Sequence, residues 1–274
     1  MEFYLFKLDE HGAATRIPYD TAGYMDIAPE DRGENVRREI CLMLEQMGIR
    51  PESSHHESGP GQNEIDFHYS DPLSAADHAV TFHAVVKTVA AQNGLCADFS
   101  PKPLPDRDGN GMHVNISAKG TGKPEPLHHV IAGLLERAAE MTVFLNPCEA
   151  SYDRLGNDKA PGYITWSGEN RSQLIRIPAA VGEYRRAELR SPDPMANPYL
   201  AFALVIYAGL YGIERQLMPP PAADFNIFTA PADVLASYRR LPGSLHEAMA
   251  AAAASPFIRE HLSELVISAY CKER

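Results

Sequence analysis

The chain has 274 residues, of which 45% are hydrophobic and 22% are charged, and its net charge is −11. This composition is typical of one large or two small globular domains, and an acidic chain lacks the basic surface that nucleic acid or an anionic membrane requires. The four cysteines are scattered, which argues against a disulfide framework or a structural zinc site. No signal-peptide pattern opens the chain, and the apolar run 199–213 is too short to span a bilayer. We therefore expect a cytoplasmic protein with no nucleic-acid or membrane partner.

Hydrophobic periodicity predicts strands and helices that follow one another irregularly. Strands are predicted at 2–7, 96–101, 112–117, 163–167, 173–178 and 187–190, with a hairpin over 52–67. Helices are predicted to begin at Pro29, at Asp71-Pro72, near Leu127, at Asn197-Pro198, at Ser244 and after Pro256, and a long loop is predicted at 146–161. Because there is no regular βαβ rhythm, we expect an α+β fold with a largely antiparallel sheet. We divide the chain into a sheet-and-helix core, 1–218, and a C-terminal helical segment, 219–274.

Two histidines and three carboxylates surround a Gly-Pro-Gly turn within residues 55–67. Such a turn costs conformational freedom and packs little, so we do not expect local stability to explain it. A hairpin here would bring Glu57 and Glu64 to one point, where two carboxylates repel unless a cation lies between them. Oxygen ligands favour Mg²⁺, Mn²⁺ or Ca²⁺ over zinc. The stretch therefore predicts a hard divalent metal site.

Further candidate ligands lie elsewhere in the chain, namely Glu2, Glu52, Glu188 and His113. His113 follows the glycine-rich loop 108–111, which could deliver one imidazole to a metal. Taken singly, each of these side chains has a simpler explanation, because a glutamate is usually a solvated surface charge and an isolated histidine more often makes a hydrogen bond than a metal bond.

Arginine is unusually dense between residues 151 and 190 of this acidic chain, at Arg154, Arg171, Arg176, Arg185, Arg186 and Arg190. Arginine forks bind carboxylate and phosphate through two hydrogen bonds. Arg186, Glu188 and Arg190 share parity and would line one face of a strand. This row is either a surface ion-pair ladder of little energetic value or a phosphate clamp around a metal-binding carboxylate. Since the chain has no P-loop, dinucleotide fingerprint or GxSxG elbow, any ATP would be bound in another way.

Several motifs together resemble the catalytic domain of the bacterial (type I) glutamine synthetase family, the glutamate–ammonia ligases. They are the stretches 2–6, 23–29, 54–67, 101–103, 111–115, 170–178, 188–194 and 196–199. The resemblance implies a largely antiparallel, curved β-sheet flanked by helices. It also implies transfer of the ATP γ-phosphoryl group to the side-chain carboxylate of glutamate, giving a γ-glutamyl phosphate that ammonia attacks.

The resemblance assigns expected roles residue by residue. It implies that one Mg²⁺ or Mn²⁺ ion binds at Glu2, Glu57 and Glu64 and a second at His113 and Glu188. Glutamate would bind at Gly109, Arg154 and Arg190, and ATP at Glu52, Tyr69, Ser117 and Arg186. The resemblance also implies catalytic roles for Arg171 and Arg176, which face the phosphates, and for Lys159 and Asp158 in a flap loop. The family assembles into homo-oligomeric rings, a dodecamer of two stacked hexamers.

The sequence departs from the family pattern at several points. The chain begins at the second Glu of a Glu-x-Glu strand, so we expect the small N-terminal domain and the first Glu to be absent and the second metal site to be weak. Lys159 stands where the family carries a glutamate before Ala-Pro, and a lysine would repel ammonium; Asp158 could substitute if the loop shifts by one. Phe228 replaces a tyrosine that some members adenylylate. These departures leave two alternatives open: a catalytically impaired homologue or fragment that retains nucleotide and metal binding, or a ligase that uses a larger amine.

Overall fold

The computed structural model describes residues 1–120, 125–157, 159–180 and 182–272. The chain forms two compact units, Met1–Gly111 and Met112–Arg274. Each unit contains a β-sheet and its own helices, which confirms the predicted α+β class. The division of the chain at residue 218 stays a prediction.

The first unit is built around its first strand. Its elements are β1 (Glu2–Leu8), β2 (Ala14–Pro18), α1 (Glu34–Gln46), β3 (Pro51–His56), β4 (Gln62–Phe67), α2 (Pro72–Gln92) and β5 (Leu95–Asp98). Strand β5 pairs with one edge of β1, while β4 and then β2 pair with successive parts of its other edge, all antiparallel. Strand β3 completes the hairpin with β4. Residues 2–6 of β1 are buried on both faces, so this strand forms the centre of the unit.

The Gly-Pro-Gly turn between β3 and β4 packs tightly against β1. A Cβ atom at Gly61, whose φ is +68°, would lie 2.8 Å from the Leu5 carbonyl oxygen, and one at Gly59 would lie 1.9 Å from the Tyr4 hydroxyl. The Leu5 amide donates a hydrogen bond to the Gly61 carbonyl over 2.8 Å. The expectation that this turn packs little is therefore wrong: glycine is needed at both positions because β1 lies in the way of any side chain.

Helix α1 begins five residues later than its sequence pattern predicts. Residues 28–30 form a turn, and the helix starts at Glu34 after Gly33. Asp31, predicted to lie in the first helical turn, instead accepts hydrogen bonds from both terminal nitrogens of Arg37, at 3.1 and 2.6 Å. Asp31 thus pairs with a side chain of α1 and does not lie in the first turn of that helix. Helix α2 begins as predicted, because the Asp71 side chain accepts from the Ser74 amide over 3.1 Å.

The second unit combines a small sheet with a helical layer. Its elements are β6 (Val114–Ile116), α3 (Pro126–Leu145), α4 (Glu149–Arg154), β7 (Trp166–Gly168), β8 (Ile175–Ile177), a 3₁₀ turn (Gly182–Tyr184), β9 (Ala187–Leu189), α5 (Pro198–Glu214), α6 (Ala232–Leu235), α7 (Leu245–Ala254), α8 (Pro256–His261) and α9 (Glu264–Cys271). The sheet order is β6-β9-β8-β7, and only the β7–β8 pairing among those described is parallel. No helix in the described ranges has both the length and the apolarity to cross a membrane.

Several sequence expectations for the second unit need correction. The predicted loop 146–161 contains α4, and the single C-terminal helix is in fact two helices, α8 and α9, separated where Leu262 and Ser263 leave the helical conformation. The apolar run 199–213 predicts a helix that is buried on nearly every face, yet in α5 Leu210 is 44% exposed and Tyr207 39%. Its N-terminus is as predicted, with the Asn197 side chain accepting from two backbone amides.

Helices α3 and α5 meet backbone to backbone through glycines. A Cβ atom at Gly133 would lie 2.0 Å from the Ala208 carbonyl oxygen, and one at Gly212 would lie 2.0 Å from the His129 carbonyl oxygen. Such distances leave no room for a methyl group. The close approach lets the buried face of α3 pack directly onto α5.

Gly133→Ala should destabilise the protein by about 1–3 kcal/mol because the added methyl group forces α3 away from α5. Helix propensity alone would change stability by about 1 kcal/mol in the opposite direction. Urea unfolding measures the change in the free energy of unfolding. The control is Gly168→Ala, where an added Cβ meets nothing within 4 Å. Equal stability of Gly133→Ala and the wild type would refute the close contact.

A partly buried histidine predicts an acid-sensitive fold. The His83 ring stacks on Phe99 with 3.9 Å between centroids, and burial, aided by the charge of Lys87, lowers the pKa of His83 from 6.5 to about 4. Because the unfolded chain binds this proton at higher pH than the folded one, the stability contribution is complete above pH 6.5 and is lost as pH falls towards 4. The free energy of unfolding should therefore fall less on acidification in His83→Gln than in the wild type, by up to about 3 kcal/mol. Denaturant titrations at pH 7 and pH 4 measure it, and an unchanged pH dependence in the variant would contradict the assignment.

Candidate functional site

Three strands of the first unit place one polar residue each in a single row. Glu2 on β1 lies opposite Glu64 on β4, which lies opposite His55 on β3. Residues directly opposite one another in a sheet project from the same face, so the three side chains are neighbours. The Nε2 atom of His55 lies 3.3 Å from Oε2 of Glu64, and carboxylate oxygens of Glu2 and Glu64 lie within 4.8 Å of each other.

Glu57 joins this row from the first position after β3. Its Oε1 lies 3.9 Å from Nδ1 of His55, and ligand atoms of His55, Glu57 and Glu64 all lie within 4.8 Å of one another. The hydrogen bond with Glu64 raises the pKa of His55 and outweighs the effect of burial. We call Glu2, His55, Glu57 and Glu64 the carboxylate cluster. The sequence prediction named its three carboxylates and missed His55, although register across the hairpin would have indicated it.

Backbone and amide donors orient two of these carboxylates. Glu2 and Glu57 are each 8% exposed. Oε2 of Glu2 accepts hydrogen bonds from the Gly111 amide at 2.8 Å and from the Gln62 side chain at 3.3 Å. Oε2 of Glu57 accepts from the Ser58 amide at 3.0 Å.

Gln62 was not predicted, yet it connects three parts of the site. Its Oε1 accepts from the Gly59 amide in the turn at 2.9 Å, and its Nε2 donates to Glu2 and, at 3.1 Å, to the Gly109 carbonyl. Gln62 is 1% exposed. No periodicity distinguishes this glutamine from a surface residue, so only its burial in the folded hairpin identifies it.

The donor set of the carboxylate cluster fits a hard divalent cation. Three carboxylates and one imidazole match the preferences of Mg²⁺ and Mn²⁺. Ligand atoms at about 2.1 Å from one ion lie at most about 4.2 Å apart. The spacing within 4.8 Å of His55, Glu57 and Glu64, and of Glu2 and Glu64, therefore needs only small side-chain movements.

A second group of potential ligands in the first unit, Asp20, Asp31 and His56, has ligand atoms within 4.8 Å of one another. Arg37 already donates to both oxygens of Asp31, and Nε2 of His56 lies 2.9 Å from Oδ1 of Asp20. Burial lowers the pKa of His56 and raises that of Asp20, but their mutual hydrogen bond and attraction reverse both shifts. These residues form ion pairs within the protein rather than a metal site.

In the second unit, Glu188 lies at the centre of a group of cationic side chains. Arg176 faces it across β8 and β9 and donates from Nε and Nη2 at 2.7 and 3.3 Å. Nε of Arg190 lies 3.5 Å and Nδ1 of His113 lies 3.7 Å from the same carboxylate. The predicted row of alternating charges thus includes Arg176 in place of Arg186. The cross-strand register places Arg176 beside Glu188. Arg186 instead donates to the Asn115 side chain over 3.0 Å.

Arg154 is 3% exposed and holds the chain after β9. Its Nη1 donates to the Ser191 carbonyl at 2.7 Å and its Nη2 to the Arg190 carbonyl at 3.3 Å. Nearby Asp193 is fully buried and accepts from Asn146 at 3.0 Å, and burial raises the pKa of Asp193. The backbone around Arg190 is therefore fixed by side chains that come from α4 and the end of α3.

The remaining predicted residues are exposed or partly exposed. Tyr69 is 61% exposed and stacks on His68 with 4.5 Å between ring centroids, and Nε2 of His68 lies 3.8 Å from Oε1 of Glu52. The structure thus brings Glu52 and Tyr69 together through His68. Exposed side chains are also found at Ser117, Lys159 and Arg171. Asp158 lies outside the described residues.

Comparison with known proteins gives concordant family matches. The family model "Glutamine synthetase, catalytic domain" matches residues 1–274. The glutamine synthetase of Thermus thermophilus is 44% identical over the whole chain and that of Methanosarcina mazei 46% identical over 98% of it. The chain spans 65% and 64% of those two relatives. The solved ADP complex of a protein named GmaS superposes with a TM-score of 0.86 at 33% identity, covering 99% of this chain and 66% of that one.

The family match over the full chain, the identities and the shared fold lead to one assignment: the chain belongs to the glutamine synthetase family and matches its catalytic domain.

Proposed function

We propose that the protein that carries this chain is an ATP-dependent glutamate–ammonia ligase that uses Mg²⁺ or Mn²⁺. The observation that supports this most directly is the carboxylate cluster, a set of oxygen-rich ligands built from three adjacent strands. Because the chain matches the glutamine synthetase family, we infer that these ligands serve a reaction on phosphate groups.

The proposed reaction has two steps. An oxygen of the glutamate side-chain carboxylate attacks the γ-phosphorus of ATP, the bond to the β-phosphate oxygen breaks, and ADP leaves. Ammonia then attacks the acyl carbon of γ-glutamyl phosphate, and inorganic phosphate and a proton leave to give glutamine. Bound divalent cations supply charge neutralisation for the phosphoryl group during the first step.

We assign the metal ligands to both units of the chain. Glu2, Glu57 and Glu64 would hold one cation, with His55 as a neighbouring ligand or proton donor. His113 and Glu188 would hold the other. Because Arg176 already donates two hydrogen bonds to Glu188, a cation there has to compete with an arginine, so we expect the second site to be weaker.

The arginines would bind the anionic parts of the substrates. Arg171 and Arg176 would neutralise the transferred phosphoryl group, since a guanidinium keeps its charge at every working pH. Glutamate would bind at Gly109, Arg154 and Arg190, and ATP at Glu52, Tyr69, Ser117 and Arg186. The Tyr69–His68 stack and the exposed Arg171 side chain are consistent with contact to a ligand.

A second candidate function is ligation of an amine larger than ammonia. The exposed Lys159 in the loop after α4 favours it, because a fixed positive charge discriminates against the ammonium ion.

We further propose that the protein works as a homo-oligomer, as a dodecamer in the manner of its family. Apolar side chains with high exposure, such as Ile27 at 75% and Leu265 at 81%, are consistent with subunit contacts.

We expect phosphate release from ATP that depends on glutamate, on Mg²⁺ or Mn²⁺ and on an amine. An assay with ammonia and a panel of alkylamines separates the two candidates. Lys159→Glu should raise the rate with ammonia several-fold because it replaces repulsion of ammonium by attraction, whereas Lys119→Glu, another exposed lysine of the second unit, should not. Absence of turnover with every amine would overturn both candidate functions.

Mn²⁺ should raise the thermal unfolding midpoint of the protein, since a ligand at 100 times its dissociation constant stabilises by about 2.7 kcal/mol. Glu64→Gln should abolish most of this shift, because it removes the carboxylate that lies between the other ligands of the carboxylate cluster. Asp66→Asn changes an exposed carboxylate on the same strand and serves as the control. An unchanged Mn²⁺ shift in Glu64→Gln would exclude the cluster as the metal site.

A further inference from the structure

Adjacent histidines at the end of β3 have different surroundings. His55 belongs to the carboxylate cluster, whereas His56 projects to the other face of the hairpin and is 0% exposed. The Nδ1 atom of His56 lies 2.6 Å from the Glu57 carbonyl oxygen, and its Nε2 lies 2.9 Å from Oδ1 of Asp20. The buried imidazole thus bridges the backbone of a cluster residue and a carboxylate from the loop after β2.

Asp20 also contacts the other end of the turn formed by residues 57–61. Its Oδ1 also accepts from the Gly61 amide at 2.9 Å, and its Oδ2 accepts from the Arg32 amide at 3.1 Å. One buried carboxylate therefore fixes Gly61 directly and Glu57 through His56, so both ends of the 57–61 turn are tied to a single anchor.

The donor and acceptor groups around His56 define which hydrogen bonds its ring makes. A backbone carbonyl can only accept, so Nδ1 of His56 carries a proton and donates to Glu57. A carboxylate oxygen of Asp20 lies 2.9 Å from Nε2, so both ring nitrogens of His56 are held and the orientation of the imidazole is fixed.

Glu57 needs such an anchor more than the other cluster members do. Glu2, His55 and Glu64 lie within paired strands, whereas Glu57 follows the last residue of β3. The Glu57 amide donates to the Gln62 carbonyl at 2.8 Å, and its own carbonyl is held by His56. Small displacements of a ligand weaken metal binding, so the buried partners of a ligand tune its affinity.

We propose that Asp20 and His56 are positioning residues that hold Glu57 in place for divalent-metal binding, acting through the backbone at both ends of the 57–61 turn. This inference rests on the proposed metal role of Glu57. Neither residue contacts the metal in this scheme, which distinguishes them from the ligands themselves.

A double-mutant cycle on metal affinity tests the proposal. Mn²⁺ binding is measured by electron paramagnetic resonance of the free ion for the wild type, Asp20→Asn, Glu57→Gln and the double variant. Asp20→Asn should weaken Mn²⁺ binding about 10-fold, the lower end of the range for supporting residues. In the Glu57→Gln background the same substitution should change the affinity less than about 2-fold, because its effect passes through Glu57.

Two further variants keep the test specific. Asp98→Asn alters another carboxylate of the first unit, one that accepts from the Ser100 amide at 2.7 Å, and should leave Mn²⁺ affinity unchanged. In His56→Gln the new side chain can still bond to Asp20 but cannot reach the Glu57 carbonyl. This variant should therefore weaken Mn²⁺ binding about as much as Asp20→Asn does. It also replaces Asp20→Asn in the cycle if that variant does not fold.

The outcomes separate this inference from the proposed function. If the wild type binds Mn²⁺ and Glu57→Gln weakens it, but the effects of Asp20→Asn and Glu57→Gln add, the positioning role is overturned and the metal site stands. An equal loss in Asp98→Asn also overturns it, since the effect would then be general destabilisation. If the wild type binds no Mn²⁺, the metal role of the cluster fails and this inference fails with it.

Discussion

The first unit depends on how closely the 57–61 turn approaches β1. The backbone of Leu5 donates to the Gly61 carbonyl and accepts from the Tyr19 amide, so the ends of β4 and β2 meet at one residue of the central strand. Only glycine allows this approach, because any Cβ at Gly61 would collide with the Leu5 carbonyl. The same close contact fixes the hairpin register, and the register brings Glu64 opposite both Glu2 and His55.

Strand alternation separates the chemical face of the hairpin from its supporting face. Residues of the carboxylate cluster project from one side. On the other side lie His56 and its cross-strand partner Asn63, whose side chain accepts from Arg37 at 2.6 Å and donates to the Gly61 carbonyl at 2.9 Å. Buried ion pairs are an uncertain source of stability, since desolvation opposes their attraction. Their value here lies in fixing geometry, which the proposed metal binding requires.

In the second unit, glycine again allows a close backbone approach, here between two helices. Glycines on α3 and α5 let two helices meet without side chains between them, and the small sheet beside them carries the arginines and Glu188. Within that sheet, Arg176 neutralises Glu188 across one strand pair. The acidic chain therefore concentrates arginine around one carboxylate. The alternative of a solvated surface ion-pair ladder fails because Glu188 is only 7% exposed.

The sequence by itself determined the α+β class, the hairpin and the helix caps at Asp71 and Asn197, because these follow from local periodicity and local hydrogen bonds. The grouping of Glu2, Glu57 and Glu64 was implied by the resemblance of short motifs to a known family. The sequence did not determine the start of α1, the packing of the glycine turn, the membership of His55 or the pairing of Arg176 with Glu188. Each of these depends on register or burial between residues distant in the chain. A local pattern contains no information about such contacts, so only the tertiary structure decided them.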